Sequence, residues 1–300
     1  MAKKLKDRLA ELNNSNLAGD ERAQYLAKSL KDKSNFLVAN AARIIARENI
    51  TELENELILS FERLLKNPLK SDPSCAGKIA ILETLISLGS KEIEVYLKAI
   101  KYIQLEPVFG AKEDTAVKLR TTAAYGLIKS NYYGLINELA TLLADKEIQA
   151  RAGAISALAN CNALAVVPIL RYKAIIGDPS SRVLSACFDG LLALEPYESR
   201  DFVAGFLDKS ILIAETAALS LGEARIEGSL KVLTNSLEQT IDKDLQKTII
   251  TAIAMLRCEP AIDYLFSILE NEEPYANDAI IALKLFGDED ILNRLEPFQK

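Results

Sequence analysis

Apolar positions along this chain return at fixed distances behind an acidic residue. The acid stands at Asp32, Asp72, Asp114, Asp145, Asp178, Asp208 and Asp242, with Glu270 in an eighth place. Thirteen residues on, the side chain is always large and apolar: Ile45, Leu85, Leu127, Leu158, Leu191, Leu221, Met255 and Leu283. Nine residues on it is mostly small: Ala41, Ile81, Ala123, Ala154, Cys187, Ala217, Thr251 and Ala279. Five residues on stand Leu37, Gly77, Leu119, Ala150, Val183, Ile213, Lys247 and Tyr275. Steps of five, four and four lie along one face of an α-helix. The pattern predicts one helical unit repeated eight times, and self-similarity at this period is the signature of a solenoid.

Each repeat reads as two antiparallel helices with the acid in the turn between them. The first helices are expected near 20–30, 51–66, 90–104, 132–144, 163–176, 197–207, 226–239 and 259–269. The second are expected near 34–48, 74–88, 115–130, 146–161, 180–194, 210–223, 243–257 and 273–286. Asp and Ser at the turn are expected to cap the second helix. A stacked array grows as one body. The expectation is therefore a single all-α domain over 1–300, a right-handed α-α superhelix without β-sheet: an N-terminal cap at 1–19, eight helix pairs over 20–287 and a C-terminal cap at 288–300.

The aspartate column, the residue six later (Lys78, Arg120 and Arg151 in three repeats) and the Ala/Leu spacing resemble HEAT repeats. They are most similar to the short bacterial HEAT-like units named after phycobilisome lyases, which belong to the armadillo-like helical class. Pro168 in Leu-Ala-Val-Val-Pro-Ile-Leu fits that family, whose first helix tolerates a bending proline. The resemblance spans about residues 20–297 and implies ladders of Asp and Arg between neighbouring repeats. Asp114, Asp145, Arg120, Arg151 and Lys78 are then structural. The +6 column reads Val38, Leu184, Ala214, Thr248 and Ala276 elsewhere, so the ladder should break outside the second to fourth repeats.

Composition narrows the function. There is no histidine among the 300 residues, which removes Ser-His and Cys-His nucleophile pairs and histidine metal ligands. No P-loop, EF-hand or strand-borne glycine motif is present. The chain is thus expected not to be an enzyme, with no catalytic, cofactor or metal residues. Cys75, Cys161, Cys187 and Cys258 form no C-x-x-C pair and read as small buried hydrophobes of a reducing compartment. A net charge of −6 disfavours nucleic acid and anionic membranes. The basic N-terminus leads into no apolar run, and no stretch is long enough to span a bilayer. A cytoplasmic, bacterial, monomeric or weakly self-associating protein is the expectation. The charge is uneven: residues 1–35 carry net +3 and residues 259–300 net −7, which reads as a generic solubility device, with orientation of an acidic partner toward the N-terminal half or head-to-tail contact as the alternatives.

A binding surface is expected where offsets 4, 8, 11 and 15 of the second helices line the concave face. The stripe reads Phe36, Asn40, Arg43, Arg47 in repeat one and Lys118, Thr122, Tyr125, Lys129 in repeat three. It continues as Gln149, Gly153, Ser156, Asn160, then Arg182, Ala186, Asp189, Ala193, and in repeat seven Gln246, Ile250, Ile253, Arg257. Candidate partner contacts are Arg43, Arg47, Lys118, Tyr125, Lys129, Gln149, Asn160, Arg182 and Asp189. Extra length at Asn67–Ser74 and Glu106–Glu113 should form loops. In the second, Val108 and Phe109 beside Gly110 are expected to fold back onto the helices, with partner contact as the alternative.

The leading functional expectation is a non-catalytic scaffold or adaptor that binds another protein, one with an acidic patch. The resemblance alone supplies a second class, a bilin lyase-like or chaperone subunit acting on a tetrapyrrole-binding protein. A third, a HEAT-like DNA-binding protein or glycosylase, is opposed by the acidic balance and the absence of Trp.

Overall fold

The structure, a computed structural model, describes residues 2–13, 17–161 and 164–298. Parts of the expected caps (1, 14–16 and 299–300) and the expected start of a helix at 163 lie outside the described residues. The chain forms two compact units, Met1–Ala157 and Leu158–Lys300. Both are built of helices packed in sequential pairs, the all-α solenoid type that the periodicity predicts.

The first unit contains α1 (Ala2–Asn13), α2 (Gly19–Leu30), α3 (Asn35–Glu48), α4 (Glu54–Leu65), the short α5 (Pro68–Ser71), α6 (Ala76–Ser87) and α7 (Ile93–Ile100). Two strands follow, β1 (Leu105–Val108) and β2 (Ala111–Asp114), then α8 (Val117–Lys129), α9 (Leu135–Leu142) and the start of α10 (Ile148–Asn160). The second unit contains α11 (Val167–Ile176), α12 (Ser181–Leu194), α13 (Pro196–Ala204), α14 (Ile211–Ala224), α15 (Ser229–Gln239), α16 (Lys243–Met255), α17 (Glu259–Glu270), α18 (Ala276–Lys284) and α19 (Glu289–Leu295). No described helix is long and apolar enough to cross a membrane.

The core follows the offsets. Ile45, Leu85, Leu127, Leu158, Leu191, Leu221 and Leu283 are fully buried, as are Ala41, Ile81, Ala123, Ala154, Cys187, Ala217 and Ala279. Close approach explains the glycine at offset five of repeat two. A Cβ on Gly77 would stand 2.7 Å from Leu64 Cδ1.

Repeat seven departs from the expected register. Lys247 is exposed and Thr251 and Met255 are only half-buried, while Leu245, Ile249 and Ile253 are buried. In repeats one, three, five and six the turn acid sits two residues before the N-cap, whereas Asp242 is itself the N-cap of α16, accepting from Leu245 N at 2.9 Å. The residue equivalent to the other aspartates is Thr240, whose Oγ1 accepts from Asp242 N at 3.3 Å. Counted from Thr240, offsets 5, 9 and 13 are Leu245, Ile249 and Ile253, and Ile250 and Ile253 leave the surface stripe for the core.

Three local expectations are corrected. The turn serines Ser34, Ser180 and Ser210 occupy N-caps without a side-chain cap bond. The preceding acid does the work instead: Asp32, Asp114, Asp145 and Asp178 each accept through Oδ1 from the backbone N–H two residues on, at 2.8–3.0 Å. Such Asx turns satisfy a donor that the helix leaves orphaned. Pro168 lies in the first turn of α11, where its missing N–H costs nothing, and starts the helix rather than bending it. Cys75 and Cys187 are buried, but Cys258, the N-cap of α17, is exposed.

Candidate partner-binding site

The expectation of no strands fails at the second insertion. Residues 105–108 and 111–114 pair antiparallel, with Leu105 opposite Asp114 and Val108 opposite Ala111. The two-residue link is Phe109-Gly110. Gly110 has φ +79°, the conformation a type II turn requires at its second central position. Both strands are four residues long, and a hairpin of that size does not hold itself together in water. Its stability comes from its base.

That base is a network of polar groups around the half-buried Glu106, in which Gln104 is buried, Thr115 half-buried and Ser74 exposed. Glu106 Oε1 accepts from Thr115 Oγ1 at 2.6 Å, Gln104 Nε2 at 2.7 Å and Ser74 N at 2.6 Å. Burial works to raise the Glu106 pKa, but these donors outweigh it and hold the carboxyl below its ordinary range. Gln104, itself buried, also donates to Asp72 O at 2.9 Å, and Tyr102 Oη donates to Gln104 Oε1 at 3.1 Å. Ser74 and Cys75 both have positive φ, +58° and +55°, and so present this edge of the second repeat to the hairpin. Burial pushes the Cys75 thiol up to about 11, so it is a protonated packing group at neutral pH.

Two charge clusters fix the helices behind the network. Lys78 Nζ lies 2.9 Å from Asp72 Oδ2, both side chains being fully buried, and 5.3 Å from the centre of the Tyr102 ring. Asp72 also accepts from Gly77 N, Lys78 N and Asn35 Nδ2, the last from the preceding repeat. Arg120, 2% exposed, holds Asp114 Oδ2 at 2.7 Å, Asp145 Oδ2 at 2.8 Å and Oδ1 at 3.1 Å, and Tyr102 O at 2.8 Å. The Asp–Arg–Asp bridge between repeats three and four is the ladder that the resemblance implies. In repeat five, where Leu184 replaces the basic residue, Lys173 of α11 reaches Asp178 at 2.9 Å.

The hairpin tip does not fold back onto the helices. Phe109 is fully exposed and Val108 is 43% exposed. Leu105 and Ile103 at the root of β1 are exposed too, and the sequence reading did not include them. Their signal was an apolar residue alternating with Glu106, the inward side chain of the strand.

The stripe residues are placed as follows. Arg43 and Arg47 are exposed on α3, Arg47 lying 3.5 Å from Glu48. On α8, Lys118 pairs with Glu83 at 2.8 Å, Tyr125 is 43% exposed and Lys129 is exposed. Gln149 and Asn160 are exposed at opposite ends of α10. In the second unit, Arg182 and Asp189 are exposed on α12, but both Asp189 oxygens are engaged, Oδ1 by Ser220 Oγ at 2.6 Å and Oδ2 by Ser185 Oγ at 3.1 Å. Asp189 therefore links α12 to α14. Within the first unit α3 packs on α6 and α6 on α8, which brings the α3 and α8 candidates into one stack.

No family model and no curated protein matches this sequence. Among solved structures, the chain is similar to human deoxyhypusine hydroxylase in complex with glycerol, at 16% identity and a TM-score of 0.33, over 83% of this chain and 88% of that one. It is also similar to an engineered protein, at 14% identity and a TM-score of 0.30, over 78% of this chain and 95% of that one. The expectation of a non-enzyme is withdrawn on the first finding, because that neighbour is an enzyme.

Proposed function

We propose that this chain is a protein-binding adaptor whose first unit recognises its partner through the tip of the β-hairpin. The observation that carries this reading is a fully exposed Phe109 on a hairpin whose base is held by hydrogen bonds converging on the half-buried Glu106. A lone exposed aromatic on a mobile loop would need no explanation. Here the loop is already ordered, so little conformational entropy remains to be lost on binding. Burying a Phe side chain gains ~1.5–3 kcal/mol, and aromatic anchors in desolvated pockets dominate interfaces. Val108, Leu105 and Ile103 widen the apolar contact. Tyr125 and Lys129 are exposed on α8 of the same unit, and a partner with an acidic patch beside its apolar pocket would use them as well.

A photo-crosslinking residue at position 109 in the full chain captures the partner for identification. Its affinity for wild type and Phe109→Ser is then compared. Loss of ~2 kcal/mol, roughly 30-fold, is expected, with the melting temperature unchanged. Unchanged affinity for Phe109→Ser, with a large loss for Tyr125→Ala or Lys129→Glu, would transfer recognition to the α8 stripe and refute the hairpin reading.

A further inference from the structure

The second unit holds a cleft that has no part in this proposal. Its volume is about 520 Å³, within the range of small-ligand sites. It opens between the C-terminal end of α15, the N-terminal turn of α16 and the end of α17, and the segment 271–275 closes one side. The buried side chains of Leu237 and Ile268 supply apolar lining. Tyr264 and Tyr275 also line it, both half-buried, together with the carboxylates of Glu238 and Glu273. Among the described residues, neither lysine nor arginine lines the cleft.

We infer that this cleft binds an aliphatic ammonium group. Its chemistry is that of a cation site: two aromatic rings with electron-rich faces, and two carboxylates with no counter-charge among the lining residues. Burial, then Tyr275, Glu238 and Glu273, push the Tyr264 phenol up to about 12. The tyrosines therefore stay neutral, and the four groups lie close enough to act on one another. An amine with a short alkyl chain fits the combination of apolar lining and acidic wall. A simple metal ion would leave the rings without a role.

Two sources offer such a group: a free alkylamine and a lysine side chain of another protein. Full-length protein with ring-labelled tyrosine is titrated with 1,4-diaminobutane, with N-acetyl-lysine-methylamide and with neutral 1,4-butanediol, and followed by NMR. Saturable shifts of the Tyr264 and Tyr275 resonances with either cation, and none with the diol, are expected. Response to the blocked lysine assigns a protein side chain as the ligand, and response to the diamine alone assigns a free amine. Glu238→Gln/Glu273→Gln should weaken binding at least about tenfold with an unaltered melting temperature. If that variant melts early, Tyr264→Leu is the substitute and should abolish the Tyr275 shift. Absence of saturable shifts at ~10 mM cation, equal response to the diol, or full binding by a folded double-Gln variant overturns the inference.

Discussion

Replacing Arg120 by methionine tests the charge cluster at the centre of the first unit. Methionine keeps an unbranched apolar stem, so the packing that the arginine stem supplies is largely retained and the loss is electrostatic. Arg120 contacts two carboxylates and one carbonyl at 2.7–3.1 Å, and Asp114 and Asp145 are only 6% and 13% exposed. Without the guanidinium, two nearly buried carboxylates that share one cation are left facing each other. Breaking a buried ion pair from one side costs about 3–5 kcal/mol. The same change in an Asp114→Asn/Asp145→Asn background leaves no orphaned charge. Asparagine Oδ1 can still accept from Gln104 N, Ala116 N and Glu147 N, the backbone bonds these aspartates now satisfy. There Arg120→Met should cost only ~1 kcal/mol, the net worth of ordinary hydrogen bonds. The coupling between the sites is then about 2–4 kcal/mol. Urea unfolding of the four proteins, with hydrogen exchange of α8 and α9 amides to localise the effect, measures it. A cost below ~1 kcal/mol in the wild-type background, or equal costs in both, would show that the cluster does not hold the repeats together.

Other outcomes follow from close contacts and from protonation. A Cβ on Gly222 would stand 2.4 Å from Ala252 O and 2.8 Å from its Cα, backbone atoms of α16 that cannot rotate aside. Gly222→Ala should therefore destabilise by ~1–3 kcal/mol despite alanine's better helix propensity. Gly205→Ala, whose nearest atom is Phe202 O at 3.4 Å, should melt like wild type. Glu106 has its folded pKa lowered from 4.5, so its contribution is present above that value and is lost as the pH falls through the lower folded pKa. The Ser74 amide resonance should report this loss in acid, and Glu106→Gln should flatten the profile.

Repeated helix faces were legible because the offset between apolar residues survives any change of side chain within its class. The seventh repeat shows where that reading slips. Asp242 looked like the head of its repeat, yet Thr240 makes the equivalent turn, and with it the spacing from Asp208 becomes 32 residues. A hydroxyl can replace a carboxylate in a turn that asks only for one acceptor, so residue identity misled where geometry was constant. The hairpin was hidden for a different reason. Leu-Glu-Pro-Val and Ala-Lys-Glu-Asp carry little β propensity, and the bonds that order them come from Ser74, Gln104 and Thr115, outside the strands. Only Phe-Gly between two four-residue runs hinted at a turn. The stripe candidates were readable as surface positions, but Asp189's bonds to two serines were not, because Ser220 lies a repeat away.

A sheet of two strands has two edges and no interior, and this one holds up an exposed phenylalanine. Such an object would ordinarily invite copies of itself to stack strand on strand. Pro107 deprives β1 of one backbone donor, and β2 carries the exposed Lys112 and Glu113, charges that a neighbouring strand would have to accommodate at close range. The projecting hairpin is thereby made a poor template for fibrous assembly. The molecule can carry an exposed apolar tip while its own copies are kept from adding to the sheet.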